Sequence, residues 1–395
     1  MNKTNFNYFF IVLLIILANL ITMALSGNSP IYPNIYNSYA LQAESWLNGR
    51  LDLSVNYSHL EIAVYNGKYF VSFPPFPSML LLPFVFFLGT NTPDHFIVLF
   101  MAVLSGIYAY KLALNITADR NKALFYSLFL CIGSNFLFLS NTGYVWFMAQ
   151  VFAFSFTLMS LYYARIKKPS LSMFLFCCAL GCRPLNMVYM PYLIYMIYNN
   201  EYTFKTFAKK LITWAIPAII LGCAYMMLNY LRFGSVFEFG HNYLPEFISS
   251  EHGQFSLAYL TDNFTSLWRL PSFENGRLLF HAFDGTAFWL VSPIFVTYAA
   301  TFIRHSVCYK KLDTAAFFPA VLIISHLLLL CTHKTMGGWH FGHRYTVDVL
   351  PVLFLGLLIQ DAGFGKSALL FSVPLLAWGL VLNTIGTAYL YLGYL

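Results

Sequence analysis

The sequence predicts an all-helical protein that crosses a membrane many times. Of its 395 residues, 59% are hydrophobic and only 9% are charged, and the mean hydropathy is +0.65. Soluble domains carry about a quarter charged residues. Apolar runs near the length that crosses a bilayer, about 20 residues, recur along the chain, and no stretch is polar enough for a separate soluble domain. We therefore expect one membrane domain over residues 1–395.

About eleven apolar segments are candidate membrane spans by length. The first, Phe9–Leu25, follows Lys3, and its length favours an uncleaved anchor over a signal peptide. Pro74–Leu88 is short and begins with a Pro-Pro pair, so we expect a helix in the outer interface. The other predicted spans are Phe96–Ala113, Ala123–Leu139, Val145–Ala164, Leu171–Gly181, Leu185–Tyr198, Leu211–Tyr230, Ala287–Ile303, Ala315–Cys331, Val347–Leu358 and Ala368–Leu390.

The basic residues set the expected orientation, because cytoplasmic loops are enriched in Lys and Arg. With the N-terminus in the cytoplasm, most basic residues fall on the cytoplasmic side and most acidic residues outside. The net charge of +7 comes from short clusters between apolar runs, which is typical of loops facing anionic lipid and does not indicate nucleic-acid binding. These clusters are Arg120 and Lys122, Arg165–Lys168, Lys205–Lys210, Arg304–Lys311, and Lys366.

Three external segments follow from this topology: residues 27–95, 231–286 and 332–346. In the first, Tyr39–Leu47 has the helical polar-apolar periodicity of an interfacial amphipathic helix. Ile62–Ser72 predicts a β-hairpin, because Asn66-Gly67 lies between Tyr- and Val-rich flanks. We expect a large, ordered first external loop.

The last external segment, Lys334–Asp348, places polar and cationic side chains between two apolar runs. Arg344 can bind a phosphate through its planar fork, and a cation there would stabilise a phosphate leaving group. The alternative is a metal site at His333, His340 and His343, although no paired carboxylate or cysteine pattern accompanies them. The seven cysteines have no spacing that indicates a zinc site or a disulfide framework.

Three other places carry candidate functional residues. Arg183, followed by Pro184, interrupts an apolar stretch, where an Arg usually marks a pathway, a partner or an anion; the alternative is that it reaches the outer headgroups. Glu61 precedes the predicted hairpin and is a candidate general base toward a hydroxyl, or simply a solvated loop residue. Tyr230–Phe247 combines Arg232, Glu238, His241 and Glu246 with aromatic rings that suit either a sugar or an interfacial belt.

These residues carry a resemblance to the GT-C superfamily of integral-membrane glycosyltransferases, in the group of protein O-mannosyltransferases and aminoarabinose transferases. It covers nearly the whole length: an anchor, a long first external loop with two juxtamembrane helices, then many spans. The chain also resembles uncharacterised bacterial members in four segments. These are NSYALQAESWLNGRLDL at Asn37–Leu53, LEIAVYNGKYFVSFPPFPSMLLLPF at Leu60–Phe84, NYLRFGSVFEFG at Asn229–Gly240 and GGWHFGHRYTVDVLP at Gly337–Pro351.

The resemblance implies an enzyme that passes a sugar from a polyprenyl-phosphate carrier to an extracytoplasmic glycan, lipid or protein, commonly with inversion. The family's base is acidic and lies in the first external loop. Better-known relatives have an Asp-Glu pair just after the first span, where this chain has Ile35-Tyr36, whereas closer bacterial members place an Asp where Glu61 stands. The resemblance therefore implies Glu61 as base, with Glu44 in reserve.

The resemblance further implies that Lys68, Arg183 and Arg344 hold the carrier phosphate, assisted by His343. Expected substrate contacts come from Tyr39, Tyr69, Glu238, His241, Trp339, His340 and Tyr345. The implied location is a bacterial inner membrane, with the site facing the exterior and a divalent metal possible. Two rival interpretations are a polysaccharide polymerase or ligase, and a transporter or flippase that moves lipid-linked sugars without chemistry.

Overall fold

The computed structural model describes residues 3–198, 202–274, 277–281, 283, 285–309, 314–361 and 367–393. Within these ranges the chain forms helices and two short β-hairpins. The helices are α1 (Lys3–Leu25), α2 (Ser38–Leu47), α3 (Phe76–Leu88), α4 (Asp94–Thr117), α5 (Arg120–Ile132), α6 (Phe136–Ser140), α7 (Val145–Arg165), α8 (Pro169–Leu180), α9 (Met190–Ile197), α10 (Phe204–Phe233), α11 (Pro245–Ile248), α12 (Leu260–Ser266), α13 (Phe288–Val291), α14 (Ile294–Tyr309), α15 (Thr314–Cys331), α16 (Leu350–Asp361) and α17 (Ser367–Tyr391). The strands are β1 (Ile62–Tyr65), β2 (Lys68–Val71), β3 (Ser272–Glu274) and β4 (Arg277–Leu279).

Every predicted span coincides with helical structure, and the protein is an integral membrane protein. In the described ranges, six helices are long and apolar enough to cross a membrane: α1, α4, α7, α10, α15 and α17. The predicted count of about eleven spans stays a prediction, because the other segments are shorter. Lys310, Lys311 and Lys366, predicted to be cytoplasmic, lie outside the described residues.

Four predicted spans are not single α-helices, and this corrects the sequence interpretation. Ala123–Leu139 divides into α5 and α6, and Ala287–Ile303 divides into α13 and α14 at Pro293, whose ring cannot continue a helix. Leu185–Tyr198 and Val347–Leu358 involve the 3₁₀ turns Pro184–Tyr189 and Arg344–Val349. Hydropathy averaged over a span did not locate these breaks, although two of them carry turn-forming residues, Gly133-Ser134-Asn135 and Ser292-Pro293.

Helix α7 lies at the centre of the molecule and α10 at its edge. The most apolar stretch of α7 is 89% buried, and α7 packs against α4 and α8. The corresponding stretch of α10 has no buried residue, so its apolar surface is available to lipid. Helix α10 extends to Phe233, so the segment predicted to be external from residue 231 starts within the last turn of this helix.

Residues 27–95, predicted to be the first external segment, form ordered structure, and the predicted hairpin is confirmed. Strands β1 and β2 pair with Tyr65 opposite Lys68, so the loop is Asn66-Gly67. Both loop residues have positive φ, 50° and 73°, as a two-residue type I′ turn requires. Helix α2 matches the predicted helix but is mostly buried and packs against α3. The sequence suggested an amphipathic helix with one open face, but α2 is not such a helix.

Candidate active site

A cavity of about 450 Å³ opens where several distant parts of the chain meet. Its walls include the residue before β1, the start of α7, the break between α8 and α9, and the segments 234–256 and 332–346. Two backbone hydrogen bonds hold the last two segments together: Ser256 donates to the Thr332 carbonyl (2.8 Å) and Lys334 to the Gln254 carbonyl (2.9 Å). The cavity is lined by six of the predicted site residues, Glu61, Arg183, His241, Trp339, Arg344 and Tyr345.

Glu61 enters the cavity from the base of the hairpin. The Ser72 hydroxyl donates to the Glu61 carbonyl (3.3 Å), and His241 donates from Nδ1 to the Ser72 carbonyl (3.1 Å), so the neck of the hairpin is fixed against the segment 234–256. The protein around the Glu61 carboxylate partly desolvates it and raises its pKa above the usual range, although the residue as a whole keeps an exposed surface. The nearby Trp146 side chain and the charge of Arg344 oppose this rise in pKa, whereas Glu246 adds to it.

Arg183 also lines the cavity and is paired with a carboxylate. Its Nε and Nη2 both donate to Oδ2 of Asp348, at 2.9 and 2.7 Å. The Arg183 side chain is 20% exposed and that of Asp348 only 2%, so the aspartate is hidden behind the arginine. Much of the positive charge of Arg183 is therefore balanced inside the protein.

Arg344 is held by neutral groups instead. Its Nε donates to the Gly337 carbonyl (2.9 Å), and Nη1 donates to Oε1 of Gln150 (3.4 Å). The Tyr345 ring lies between the two arginines, with guanidinium carbons 4.7 Å (Arg183) and 4.9 Å (Arg344) from its centroid. Arg344 forms no ion pair within 4.0 Å in the described part of the chain, so its charge remains available to an anion.

Two histidines complete the lining as uncharged groups. His333 donates a hydrogen bond from Nδ1 to the Thr335 carbonyl (2.7 Å). At Nε2 it accepts a hydrogen bond from the side-chain amide of Gln254 (3.2 Å). Burial lowers the pKa of both His241 and His333 to about 4, so both rings are neutral at pH 7. The charged lining residues are Glu61, Glu246, Arg183 and Arg344.

Seven predicted site residues do not line this cavity: Glu44, Lys68, His343, Tyr39, Tyr69, Glu238 and His340. Lys68 is exposed, with its ammonium 3.9 Å from Asp52. His343 is fully buried and donates from Nε2 to the Ser266 carbonyl (2.8 Å), and burial lowers its pKa to about 4. Glu238 instead accepts hydrogen bonds from the Gly240 backbone (2.6 Å) and Asn242 (2.7 Å).

The other four residues of this set lie in the surrounding structure. Glu44 points toward the turn after α3, where its Oε1 would lie 3.6 Å from a Cβ at Gly89. Tyr39 is buried behind the lining residue Phe73, with ring centroids 6.2 Å apart. His340 is fully buried in the last loop, and Tyr69 pairs its backbone with Leu53 at the edge of the hairpin.

The possible metal site at His333, His340 and His343 does not form in this arrangement. The ring centroids of His340 and His343 are 6.0 Å apart. In the described ranges, no group of three or more His, Cys, Asp or Glu side chains is placed to hold a metal ion.

Sequence reasoning missed several residues of the site. Asp348 was recognised only as the end of a loop, and Trp146 and Gln150 only as part of a span. The Gln150 amide donates both to the Arg344 carbonyl (3.1 Å) and to Oδ1 of Asp348 (3.1 Å). A polar amide within an otherwise apolar span was a usable signal, because such residues face the interior of the helix bundle.

Comparison with known proteins gives matches of fold only. No protein-family model matches the sequence, and no curated protein matches it significantly. The fold is similar to the crystal structure of ArnT from Cupriavidus metallidurans bound to undecaprenyl phosphate, with a TM-score of 0.55, 11% identity, and coverage of 98% of this chain and 76% of that one. A weaker similarity, with a TM-score of 0.49, 12% identity and coverage of 98% and 56%, links it to the archaeal oligosaccharyltransferase AglB from Archaeoglobus fulgidus, solved with an inhibitory peptide and a dolichol-phosphate.

The similarity to ArnT confirms the GT-C-like, mostly helical membrane fold that the sequence predicted. At 11% identity it defines the fold and leaves the roles of individual residues to the geometry of this chain.

Proposed function

We propose that this protein is a glycosyltransferase that moves one sugar from a polyprenyl-phosphate donor to an extracytoplasmic glycan, lipid or protein. The observation that carries the proposal is that Glu61, Arg183 and Arg344 line one cavity. A carboxylate and two guanidinium groups in the same cavity supply the charges that this transfer needs. The fold of this chain, which is similar to that of ArnT, also supports the proposal of a transferase that uses a lipid-phosphate donor.

In the proposed reaction, Glu61 acts as general base. The acceptor oxygen forms a bond to the anomeric carbon while the bond from that carbon to the phosphate oxygen breaks. The hydroxyl proton passes to the Glu61 carboxylate, and the electron pair departs with the polyprenyl phosphate. In the proposed reaction the acceptor attacks from the face opposite the phosphate, which inverts the anomeric configuration.

Arg344 is the proposed main ligand of the departing phosphate. Its guanidinium has no carboxylate partner within 4.0 Å in the described ranges, and its fork geometry suits phosphate oxygens. Arg183 serves as a second ligand whose orientation is fixed by Asp348. Trp339, which is 59% exposed, lies at the cavity lining, where an aromatic face suits a sugar ring.

The direct test uses purified protein with a panel of polyprenyl-phosphate sugars and candidate acceptors. The expected result is formation of the glycosylated acceptor together with free polyprenyl phosphate in equal amounts. A polymerase or ligase would instead release polyprenyl diphosphate or extend a lipid-linked chain. Movement of an intact lipid-linked sugar across reconstituted vesicles, with no product bond formed, would identify a transporter and contradict the proposal.

The proposed location is a bacterial inner membrane with the cavity on the outer side. The bias of basic residues toward the other side of the membrane supports this orientation. Cysteine labelling with a membrane-impermeant reagent in intact cells tests it. A cysteine introduced at the exposed Asn66 of the hairpin should react, whereas one introduced at the exposed Lys168 should not.

A further inference from the structure

A second cavity, of about 530 Å³, lies away from the candidate active site. It is formed by the ends of α4, α7 and α16, by α9, and by the start of α15. Arg165 and Lys167 contribute its charges, and Tyr192, Tyr195 and Tyr198 contribute hydroxyl groups. No carboxylate is present among its described lining residues.

The two cavities lie at opposite ends of α7. Trp146, near the start of this helix, lines the first cavity, and Arg165, its last residue, lines the second. Nineteen residues of α-helix separate them by roughly 28 Å. The hydrocarbon core of a bilayer is about 30 Å thick, so the second cavity lies at the other membrane surface.

Within the described ranges, neutral groups hold the two cations of this cavity. Arg165 donates from Nε to Oδ1 of Asn115 (3.1 Å), and the Lys167 ammonium donates to the Met196 carbonyl (3.0 Å). Neither has a carboxylate within 4.0 Å in the described ranges. Lys167 also has a left-handed backbone with φ of 57°, which is unusual for a residue other than glycine and directs the chain around the cavity.

The remaining wall of the second cavity is apolar. It contains Ile116, Leu355 and Ile359, of which Leu355 is almost completely buried. A free inorganic anion gains nothing from such a wall. A lipid places its phosphate beside the cations and its acyl chain against the apolar side chains, so the lining fits an amphiphile better than a soluble ion.

We propose that this second cavity binds the phosphate headgroup of an anionic phospholipid from the cytoplasmic leaflet. Basic pockets between membrane helices at that surface are suited to such headgroups, because the anionic leaflet attracts cations and the pocket excludes water. The bound lipid would link α7, α9 and α16 and would stabilise the folded protein by mass action. The proposal does not depend on the function of the first cavity.

The test measures binding of phosphatidylglycerol to the purified full-length protein by native mass spectrometry, with phosphatidylcholine as the neutral comparison. The variant Arg165→Gln with Lys167→Gln removes both cations of the cavity. The control variant Lys168→Gln with Lys205→Gln removes two exposed charges that do not line it. Thermal unfolding in neutral detergent checks that both variants are folded.

We expect the cavity variant to weaken phosphatidylglycerol binding roughly thirtyfold, since each basic group near an anionic lipid contributes a factor of about five. The control variant should stay within about twofold. Equal weakening in both variants, or none in the cavity variant, would overturn the proposal. If the double variant does not fold, Arg165→Gln and Lys167→Gln alone should each weaken binding about fivefold.

Two further measurements distinguish the source of the phosphate. Inorganic phosphate at millimolar concentration should not displace phosphatidylglycerol, and displacement would show that the site takes the free ion. Undecaprenyl phosphate should bind no more tightly than phosphatidylglycerol at Arg165 and Lys167. Tighter binding that depends on these two residues would assign the cavity to a carrier lipid and overturn the assignment to a membrane phospholipid.

Discussion

The two cavities at the ends of α7 differ in their charges. The first cavity, at the start of α7, contains Glu61 and Glu246 as well as Arg183 and Arg344, so a molecule within it meets both signs of charge. The second cavity, at the end of α7, contains only Arg165 and Lys167 among its described charged lining residues. Both have cations suited to phosphate, but among the described lining residues only the first cavity has carboxylates, including the proposed base Glu61.

This difference distinguishes a cavity whose charges suit anion binding alone from a cavity whose charges also suit glycosyl transfer. A site that only holds an anion needs positive charge and a wall that fits the rest of the ligand. Glycosyl transfer also needs a group that removes a proton from the acceptor while the phosphate departs. The first cavity has groups for both anion binding and proton removal. Changes to its carboxylates and to its cations should therefore have separable effects.

The largest expected effect is at Glu61. Glu61→Gln keeps the size of the side chain but cannot accept the proton, so the rate of transfer should fall by about 10²–10⁴-fold while binding of the donor is retained. Single-turnover transfer and donor binding on the same purified protein measure the two quantities.

Glu44→Gln is the matched control, because Glu44 also lies in the first external segment but faces the turn after α3. It should keep the normal rate within about threefold, an allowance of less than 1 kcal/mol in activation free energy. Full activity in Glu61→Gln together with loss of activity in Glu44→Gln would move the base to Glu44.

The next effect is at Arg344. Arg344→Gln removes the charge that faces the departing phosphate, and we expect the rate to fall by about 10²–10³-fold. Lys68→Gln should change the rate little, because Lys68 is exposed and pairs with Asp52, a type of interaction worth about 0–1 kcal/mol. Transfer rates of both variants with one donor test this. A larger loss in Lys68→Gln than in Arg344→Gln would show that the phosphate binds at the hairpin.

The sequence predicted the elements of the fold better than it predicted their tertiary contacts. The apolar runs located the long helices, since length and hydropathy are local properties. Asn66-Gly67 located the hairpin, since a two-residue turn with positive φ favours those residues. The breaks near Gly133 and Pro293 were missed because hydropathy averaged over a span does not register the turn-forming residues there.

The candidate site was predictable only in part for a related reason. Arg183, Arg344 and Glu61 were noticed because charge is conspicuous near a membrane. Lys68 and Glu44 were equally conspicuous, but the hairpin and α2 turn them away from the cavity. Which charged side chains converge depends on the packing of segments far apart in the chain, and local patterns do not contain that information.

A smaller effect is expected from the pair formed by Arg183 and Asp348. Either single substitution, Arg183→Gln or Asp348→Asn, leaves a partner without its counter-charge in a mostly buried position. The double variant removes both charges, and we expect a coupling of about 2 kcal/mol in the free energy of unfolding. Denaturant unfolding of the four proteins in detergent measures it. Strictly additive losses would show that the pair contributes nothing beyond its separate members.

The smallest effect is a shift in pH dependence. Glu61 works as a base only when deprotonated, and burial raises its pKa, so activity should be lost as the pH falls through that raised pKa. Glu246→Gln removes a neighbouring negative charge and should move the acid limb of the pH–rate profile to lower pH. Arg344→Gln removes an attractive positive charge and should move the limb of its residual activity to higher pH.

Glu238→Gln is the control for these shifts, because Glu238 hydrogen-bonds within its own loop and does not line the cavity. Its acid limb should coincide with that of the unchanged protein. Shifts of the same sign in Glu246→Gln and Arg344→Gln would contradict the assignment, because opposite charges must move the pKa of one carboxylate in opposite directions. Opposite shifts would identify the titrating group as a carboxylate that is influenced by both Glu246 and Arg344.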